Sequence, residues 1–329
     1  MKEFIIGRND AGQRLDRFVS KAAPLIPESL LQKTLRKKDI KINGRPAKGE
    51  ARLAEGDTVR VYLPDEFFEA PREENAWRKI TAPRLDIVYE DENILLVDKK
   101  PGVLCHSAGE WSWNTLIANI QAYLRAKGEW DPARENSFAP ALCNRIDRNT
   151  GGIVIAAKNA EALRIMDEKV KNREIEKIYL AAVVGTPRPA AGRLEGYLFK
   201  DAKNNQVYVY DAPRTGAKTA VTEYKTIASD GRLTLVECRL ITGRTHQIRA
   251  QMAAAGHPLL GDGKYGKLDK RYARTYQALY SYKLRFEFTT PAAARQSLSR
   301  PSGRSWSATP ASLAPRAVFS CRISSTPRP

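Results

Sequence analysis

A short apolar run that follows two glycines places the tightest constraint on how this chain can fold. Residues 153–157 are five consecutive apolar residues, which is typical of a buried β-strand. The preceding Thr150-Gly151-Gly152 predicts a tight turn, because glycine adopts backbone angles that other residues avoid. Any side chain just ahead of this turn is therefore held at the entrance of a rigid strand.

Three charged residues stand at that entrance, namely Arg145, Asp147 and Arg148. Two guanidinium groups favour the ionised form of the carboxylate between them. A permanently charged carboxylate at a rigid position can act as a nucleophile. A surface ion pair or a turn cap is the commoner role of such an aspartate, so on these residues alone both interpretations stay open.

The charge of the chain indicates the class of its partner. A net charge of +18 and a pI near 9.8 favour a polyanion, and nucleic acid is the partner that we expect. Residues 291–329 hold six arginines, no lysine and no acid, and without them the charge is still 18 − 6 = +12. This Pro-, Ser-, Ala- and Arg-rich stretch is predicted to be a disordered basic tail. It is either a natural extension or the product of a frameshift, which the other two reading frames of the coding DNA distinguish.

Several classes of protein are disfavoured by what the sequence lacks. No apolar run approaches the ~20 residues of a membrane span, and the first residues do not resemble a signal peptide. The cysteines Cys105, Cys143, Cys238 and Cys321 are widely scattered, without the spacing of metal ligands. We therefore expect a cytoplasmic protein with free thiols, no metal site and, by default, a monomeric state.

The first part of the chain predicts a small domain over residues 1–64. Apolar residues at helical spacing predict helices from about residue 15 and over residues 28–37. The segments Ile-Lys-Ile-Asn-Gly and Glu-Gly-Asp-Thr-Val-Arg-Val, which begin at Ile40 and Glu55, predict short strands with turns. Basic side chains on the outward face are Arg14, Lys33, Arg36, Lys37, Lys38 and Lys41. Residues 65–82 are acidic and flanked by prolines, which predicts a linker.

Residues 83–290 are predicted to form a second, larger domain. Strand patterns occupy residues 85–102, 177–185, 233–240 and 278–289. Helical patterns occupy residues 115–127 and 160–171. Residues 192–230 look like a loop-rich strand region. Arg244, His246 and Arg249 follow a glycine and precede a short helix, which indicates an anion site at a helix start. The same cluster could belong to a phosphatase or nuclease, but no second acid or metal ligand accompanies it.

Several segments of this domain resemble the RluA-like family of pseudouridine synthases. Residues 145–152 are similar to the family's Arg-Leu-Asp-(two residues)-Thr-Ser-Gly signature, with Asn144, Ile146 and Gly151 as departures that leave the aspartate intact. Gly-Arg-Thr-His-Gln-Ile-Arg, at residues 243–249, matches almost letter for letter. Further matches lie at residues 96–102, 177–179 and 256–266. The N-terminal pattern resembles an S-four-like RNA-binding domain, in which a basic helix face lies against RNA phosphates.

The resemblance implies an α+β fold with a mixed, mostly antiparallel sheet and a central cleft that holds Asp147. It implies isomerisation of uridine in RNA to pseudouridine, without metal or other cofactor. Asp147 would attack the sugar or abstract a proton from it, paired with Arg249, while Tyr179 would stack on the base and could relay a proton. Arg145 would fill the space left by a flipped-out nucleotide, and Arg244 and His246 would bind RNA.

The resemblance also leaves the substrate and some rival functions open. Large-subunit (23S) ribosomal RNA is the substrate that we expect, with transfer RNA as the alternative. A catalytically silent RNA-binding or ribosome-assembly factor on the same scaffold is a second hypothesis. A metal-dependent nuclease is a third, disfavoured because the sequence shows no cluster of carboxylates.

Overall fold

The computed structural model describes residues 1–68, 72–107, 112–266, 276–288 and 318–323. This part of the chain divides into two compact units. The first unit comprises Met1–Arg84, His106–Leu142 and Ala156–Ile165. The second comprises Leu85–Cys105, Cys143–Ile155 and the described residues from Met166 onward. Within the described ranges, no helix is both long enough and apolar enough to cross a membrane.

A small antiparallel sheet and two helices form the beginning of the first unit. Its strands are β1 (Lys2–Ile5), β2 (Ile40–Ile42), β3 (Arg45–Pro46) and β4 (Thr58–Val61). They are arranged in the order β1-β4-β2-β3. Helices α1 (Leu15–Ala22) and α2 (Glu28–Arg36) confirm the two predicted helices. Leu15, Phe18 and Leu31 are buried in the core that the helices share with the sheet, because apolar residues recur there at helical spacing.

The predicted linker contains local structure. Residues Asp65–Phe68 and Arg72–Lys79 form 3₁₀ helices. Phe67 and Phe68 pack against the core of the first unit, and the Trp77 ring meets Trp130 edge-on at 5.5 Å between centroids. The sequence prediction gave too little weight to these aromatic side chains because most of their neighbours are acidic. They provide apolar surface that packs, which a flexible linker lacks. The first unit also contains α3 (Leu116–Ala126), capped by Thr115, and β7 (Ala141–Leu142).

A large sheet forms the framework of the second unit. Its strands are β5 (Ile87–Glu90), β6 (Ile94–Lys99), β8 (Gly151–Ala157), β9 (Glu176–Val184), β10 (Ala191–Asp201), β11 (Gln206–Tyr210), β12 (Lys218–Ser229), β13 (Leu233–Leu240), β14 (Leu279–Phe288) and β15 (Val318–Ile323). The order is β11-β10-β12-β13-β9-β14-β8-β6-β5, with β15 paired to β14. Strand β14 runs parallel to β8 and β15, whereas the pairings from β9 to β11 are antiparallel. The fold is therefore α+β with a mixed, mostly antiparallel sheet, as the resemblance implies.

Two further helices lie between strands of this sheet along the chain. Helix α5 (Gln247–Ala254) confirms the predicted short helix after the Gly243 turn, and α4 (Ala160–Lys171) coincides with the predicted helix. Helix α5 places Ile248 and Met252 in a core with Tyr179 and Val183 of β9. This packing fixes the helix on the same face of the sheet as Tyr179.

The region predicted to be loop-rich is mostly strand. Strands β10 and β12 contain 11 and 12 residues, and β10 pairs with both β11 and β12. Burial along β10 alternates between exposed and partly buried positions. Long antiparallel strands with one solvated face carry many polar residues, so their apolar signal is weak in the sequence.

The C-terminal stretch departs from the prediction at six residues. Strand β15 pairs in parallel with residues 283–288 of β14, although disorder is predicted for all of residues 291–329. The bulk composition of the stretch masks a local apolar pattern at Val318, Phe319 and Ile323. The remaining residues of the predicted tail lie outside the described part of the chain.

Gly152 is the position at which the fold most needs glycine. Its φ is +113°, and an added Cβ would lie 2.3 Å from the carbonyl oxygen and 2.6 Å from the nitrogen of Ser281. Gly152→Ala should lower the free energy of unfolding by about 2–6 kcal/mol, since backbone strain and overpacking each cost about 1–3 kcal/mol. Urea unfolding measures the change. Gly231→Ala, at φ +86° in open space, is the control, with an expected cost of about 1–2 kcal/mol. Equal losses in the two variants would contradict the close approach to Ser281.

Candidate active site

Asp147 lies in a turn that leads directly into the buried strand β8. The backbone N–H of Thr150 donates to the Asp147 carbonyl oxygen at 3.1 Å, which closes the turn. The carbonyl of the next residue, Arg148, accepts from the Gly102 N–H and from Lys99 Nζ, both at 2.9 Å. The Asp147 side chain is 26% exposed. The carboxylate thus remains accessible, while backbone and lysine hydrogen bonds hold the turn that carries it.

Arg249 of α5 joins two carboxylates. Its Nη1 donates to Asp147 Oδ2 at 2.9 Å. Its Nε and Nη2 donate to the two oxygens of Asp262 at 2.7 and 2.9 Å, which is a bidentate pair. Asp262 is buried and also accepts from the backbone N–H of Lys264 at 3.0 Å. Asp262 therefore orients the guanidinium, which presents its remaining edge to Asp147.

The charges of this buried pair stabilise each other. Burial alone would raise the pKa of Asp262, but the hydrogen bonds and charge of Arg249 outweigh it and hold that pKa below its usual value. Burial alone would lower the pKa of Arg249, but Asp262 and Asp147 outweigh it and raise that pKa. The guanidinium is therefore a permanent cation beside Asp147.

His246 approaches the same oxygen of Asp147 as Arg249 does. Its Nε2 lies 3.7 Å from Asp147 Oδ2, and its Nδ1 is hydrogen-bonded to the Tyr265 hydroxyl at 2.8 Å. That hydroxyl also accepts from the Val207 N–H at 2.9 Å, so its own proton is available for Nδ1. Burial lowers the pKa of His246, although Asp147 opposes the shift. The geometry therefore favours a neutral imidazole whose Nε2–H faces the carboxylate.

Tyr179 is in the middle of β9 and is 7% exposed. Burial raises the pKa of Tyr179 to about 12, against a hydrogen bond with Ser281 that lowers it. A phenol with this pKa stays protonated at neutral pH, so the hydroxyl can donate a hydrogen bond but is a poor base. Stacking on a base, the role that the resemblance implies, needs no change of protonation.

The arginines predicted to bind RNA occupy different settings. Arg145 is exposed beside Asp147 in sequence. Arg244 is half-buried, and its Nε donates to the Thr219 carbonyl at 3.0 Å. Its backbone N–H donates to the side chain of Gln247, which also bonds Thr242 and thereby fixes the start of α5.

The basic residues predicted near the N-terminus lie in the first unit. Those that are exposed are Arg14, Lys33, Arg36, Lys37 and Lys38. Lys41 is half-buried, with its Nζ 5.4 Å from the centre of the Tyr62 ring. Arg14 is ion-paired with Asp16 at 2.6 Å, so its charge is partly neutralised. The others remain candidates for phosphate contacts.

Three residues of the site were missed by the reasoning from sequence. Asp262 and Tyr265 belong to the matched Gly-Asp-x-x-Tyr-Gly segment, which is the signal that could have identified them. Lys99 is 1% exposed, and its Nζ donates to the carbonyls of Lys100 and Val103 as well as Arg148. Burial lowers the pKa of Lys99 to about 8. No periodicity in the sequence distinguishes it from an exposed lysine, but it lies in the matched segment at residues 96–102.

Comparison with known proteins identifies the family. The family described as RNA pseudouridylate synthase matches residues 93–254. Ribosomal large subunit pseudouridine synthase C of Vibrio vulnificus is 31% identical over 87% of this chain and 88% of its own length. The protein of the same name in Escherichia coli K12 is 31% identical, over 83% and 82% of the two chains. The structure of human RNA pseudouridylate synthase domain containing 4 shares the fold, with a TM-score of 0.51 and 21% identity over 64% of this chain and 87% of that one. This chain therefore belongs to the RNA pseudouridine synthase family and is an RNA-modifying isomerase.

Proposed function

We propose that this enzyme converts uridines of large-subunit ribosomal RNA to pseudouridine, with Asp147 as its catalytic carboxylate. The observation that carries the proposal is the contact of Asp147 with Arg249, whose guanidinium is held in place by Asp262. The names of the similar bacterial proteins support large-subunit ribosomal RNA as the substrate.

The reaction exchanges one glycosidic bond for another. The bond between C1′ of the ribose and N1 of uracil breaks, the detached base rotates, and C5 bonds to C1′. C5 loses its proton and N1 gains one, so the product is an isomer of the substrate. Asp147 either attacks C1′ or removes a proton from the sugar, and both routes begin with an ionised, accessible carboxylate. Arg249 holds that charge throughout. The reaction consumes no redox equivalent and transfers no group to another molecule, so it needs no cofactor.

Other residues are assigned roles around the flipped nucleotide. Removing the target from its stack costs roughly a few kcal/mol. The exposed Arg145 would occupy the vacated space, and Tyr179 would stack on the base. Arg244 and His246 would contact the RNA near the carboxylate. The basic face within residues 1–64, a segment whose sequence resembles an S-four-like domain, would contact phosphates and position the enzyme without reading sequence.

Mapping of pseudouridines across total RNA tests the substrate. Cells that lack the gene should lose pseudouridine at one or a few uridines of large-subunit ribosomal RNA. Re-expression of the parent protein should restore these sites, whereas expression of Asp147→Asn should not. Loss of pseudouridine only from transfer RNA would contradict the ribosomal assignment, and unchanged pseudouridine in all RNA would indicate a binding factor instead.

A further inference from the structure

A groove of about 910 Å³ lies in the second unit, at the end of the sheet where β9 begins and β13 and β14 end. We call it the basic groove and define it by six of its lining residues: Lys171, Arg173, Lys177, Arg239, Arg244 and Arg285. The lining of the basic groove also includes Gly243, the residue before Arg244. Because His246 is only two residues after Arg244, the groove adjoins the candidate active site.

Seven cations and three carboxylates line the groove, which leaves a net charge of 7 − 3 = +4; the carboxylates are Glu174, Glu176 and Glu287. Arg239 and Arg285 both pair with Glu176, at 2.8 and 3.2 Å. Among the residues that the structure describes, no carboxylate lies within ion-pair distance of the other four cations: Lys171, Arg173, Lys177 and Arg244. A groove with several cations that lack an ion pair attracts a polyanion, such as the phosphate backbone of a nucleic acid.

Lys177 connects this charge to the catalytic residues. It is two residues from Tyr179 in β9, so both side chains are on the same face of the sheet. Its Nζ lies only 3.6 Å from where a Cβ on Gly243 would be. Burial lowers the pKa of Lys177, since its ammonium loses water without gaining a carboxylate. An incoming phosphate would supply the missing counter-charge.

We propose that the basic groove binds backbone phosphates of the RNA strand next to the target uridine. This inference rests on the proposed function and extends it to the path of the substrate. The strand would run from the nucleotide at Asp147, past Arg244 and Lys177, to Lys171 and Arg173. Contacts of this kind are independent of base sequence, so the groove would contribute affinity and orientation.

The salt dependence of binding tests the groove directly. The variant Lys171→Gln/Arg173→Gln removes two exposed cations, and the probe is a fluorescein-labelled oligouridylate. The slope of log K against log salt should become shallower by about 1.4, because each phosphate contact to single-stranded RNA contributes about 0.7. The matched control is Arg188→Gln/Arg232→Gln, which removes the same charge at the opposite end of β9 and β13. Its slope should equal that of the parent protein.

Turnover provides the second measurement. With a transcript of large-subunit ribosomal RNA, KM of Lys171→Gln/Arg173→Gln should rise roughly tenfold, and the loss should appear in KM rather than in kcat. A slope like that of the parent protein would overturn the proposal, as would an equal change in the control. The binding series needs no turnover, so it still decides the role of the groove if the parent protein forms no pseudouridine in this RNA.

Discussion

Asp147→Asn should reduce pseudouridine formation by about a thousandfold or more while RNA affinity stays within about twofold, since positioned acid–base groups alone contribute about 10²–10⁴-fold. Asparagine is nearly isosteric and can still accept a hydrogen bond from Arg249, so the turn before β8 should keep its shape. It has no negative charge with which to attack the sugar or accept a proton. Release of tritium from RNA labelled at C5 of uridine measures turnover, and fluorescence anisotropy measures binding.

The control for this variant is Asp211→Asn, which removes the same charge from an exposed position in the second unit. It should retain the turnover of the parent protein. If Asp147→Asn also retained most of its turnover, Asp147 would have no catalytic role. If it lost turnover and RNA affinity together, the carboxylate would act mainly in binding or in folding.

Arg249→Met should abolish turnover and also lower the free energy of unfolding by about 3–5 kcal/mol, as is typical when one partner of a buried ion pair is removed. The methionine leaves Asp262 buried without its counter-ion and leaves Asp147 without its hydrogen-bond donor. Urea unfolding measures the loss of stability, and tritium release measures turnover. The two effects have separate causes, so a second variant can separate them.

Arg249→Met/Asp262→Asn is that second variant. Removing the buried charge at Asp262 should recover part of the lost stability, but turnover should stay absent because Asp147 still lacks its cation. Arg193→Met is the control for breaking an ion pair, since Arg193 is exposed and pairs with Glu195 and Glu223. Its cost should be about 0–1 kcal/mol. Full turnover in the double variant would show that Arg249 is structural only.

The local elements were predictable where the apolar pattern is strong. Strand β8 is buried at all seven positions, and helices α1 and α4 have the bounds that their spacing indicates. Strands β10 and β12 were not predicted as long strands, because half-solvated antiparallel strands carry polar residues on one face. The packing of Phe67, Phe68 and Trp77 was likewise not predicted, because these residues belong to an acidic stretch whose composition is typical of a linker.

The site was predictable only in its separate segments. Asp147 and Arg249 are 102 residues apart, and the sequence connects them through family resemblance rather than through any spacing. The same resemblance covered the segment that contains Asp262. Nothing in the sequence, however, showed that this carboxylate would form a bidentate ion pair with Arg249. Bidentate geometry depends on the packing of α5 against β9, which is a tertiary contact.

By itself, the sequence determined the buried strand β8 and the charged residues ahead of it, because apolar runs act over a few neighbouring residues. The predicted turn lies slightly earlier than expected: it closes between Asp147 and Thr150, and Gly151 and Gly152 already belong to the strand. The sequence also determined the basic character of the chain, which is a sum over residues. Only the tertiary structure decided that Arg249 lies between Asp147 and Asp262, that His246 faces the same carboxylate, and that Lys177 lies next to Gly243. These relations depend on which strands pair and which helix packs on them, and pairing brings together residues that no local pattern links.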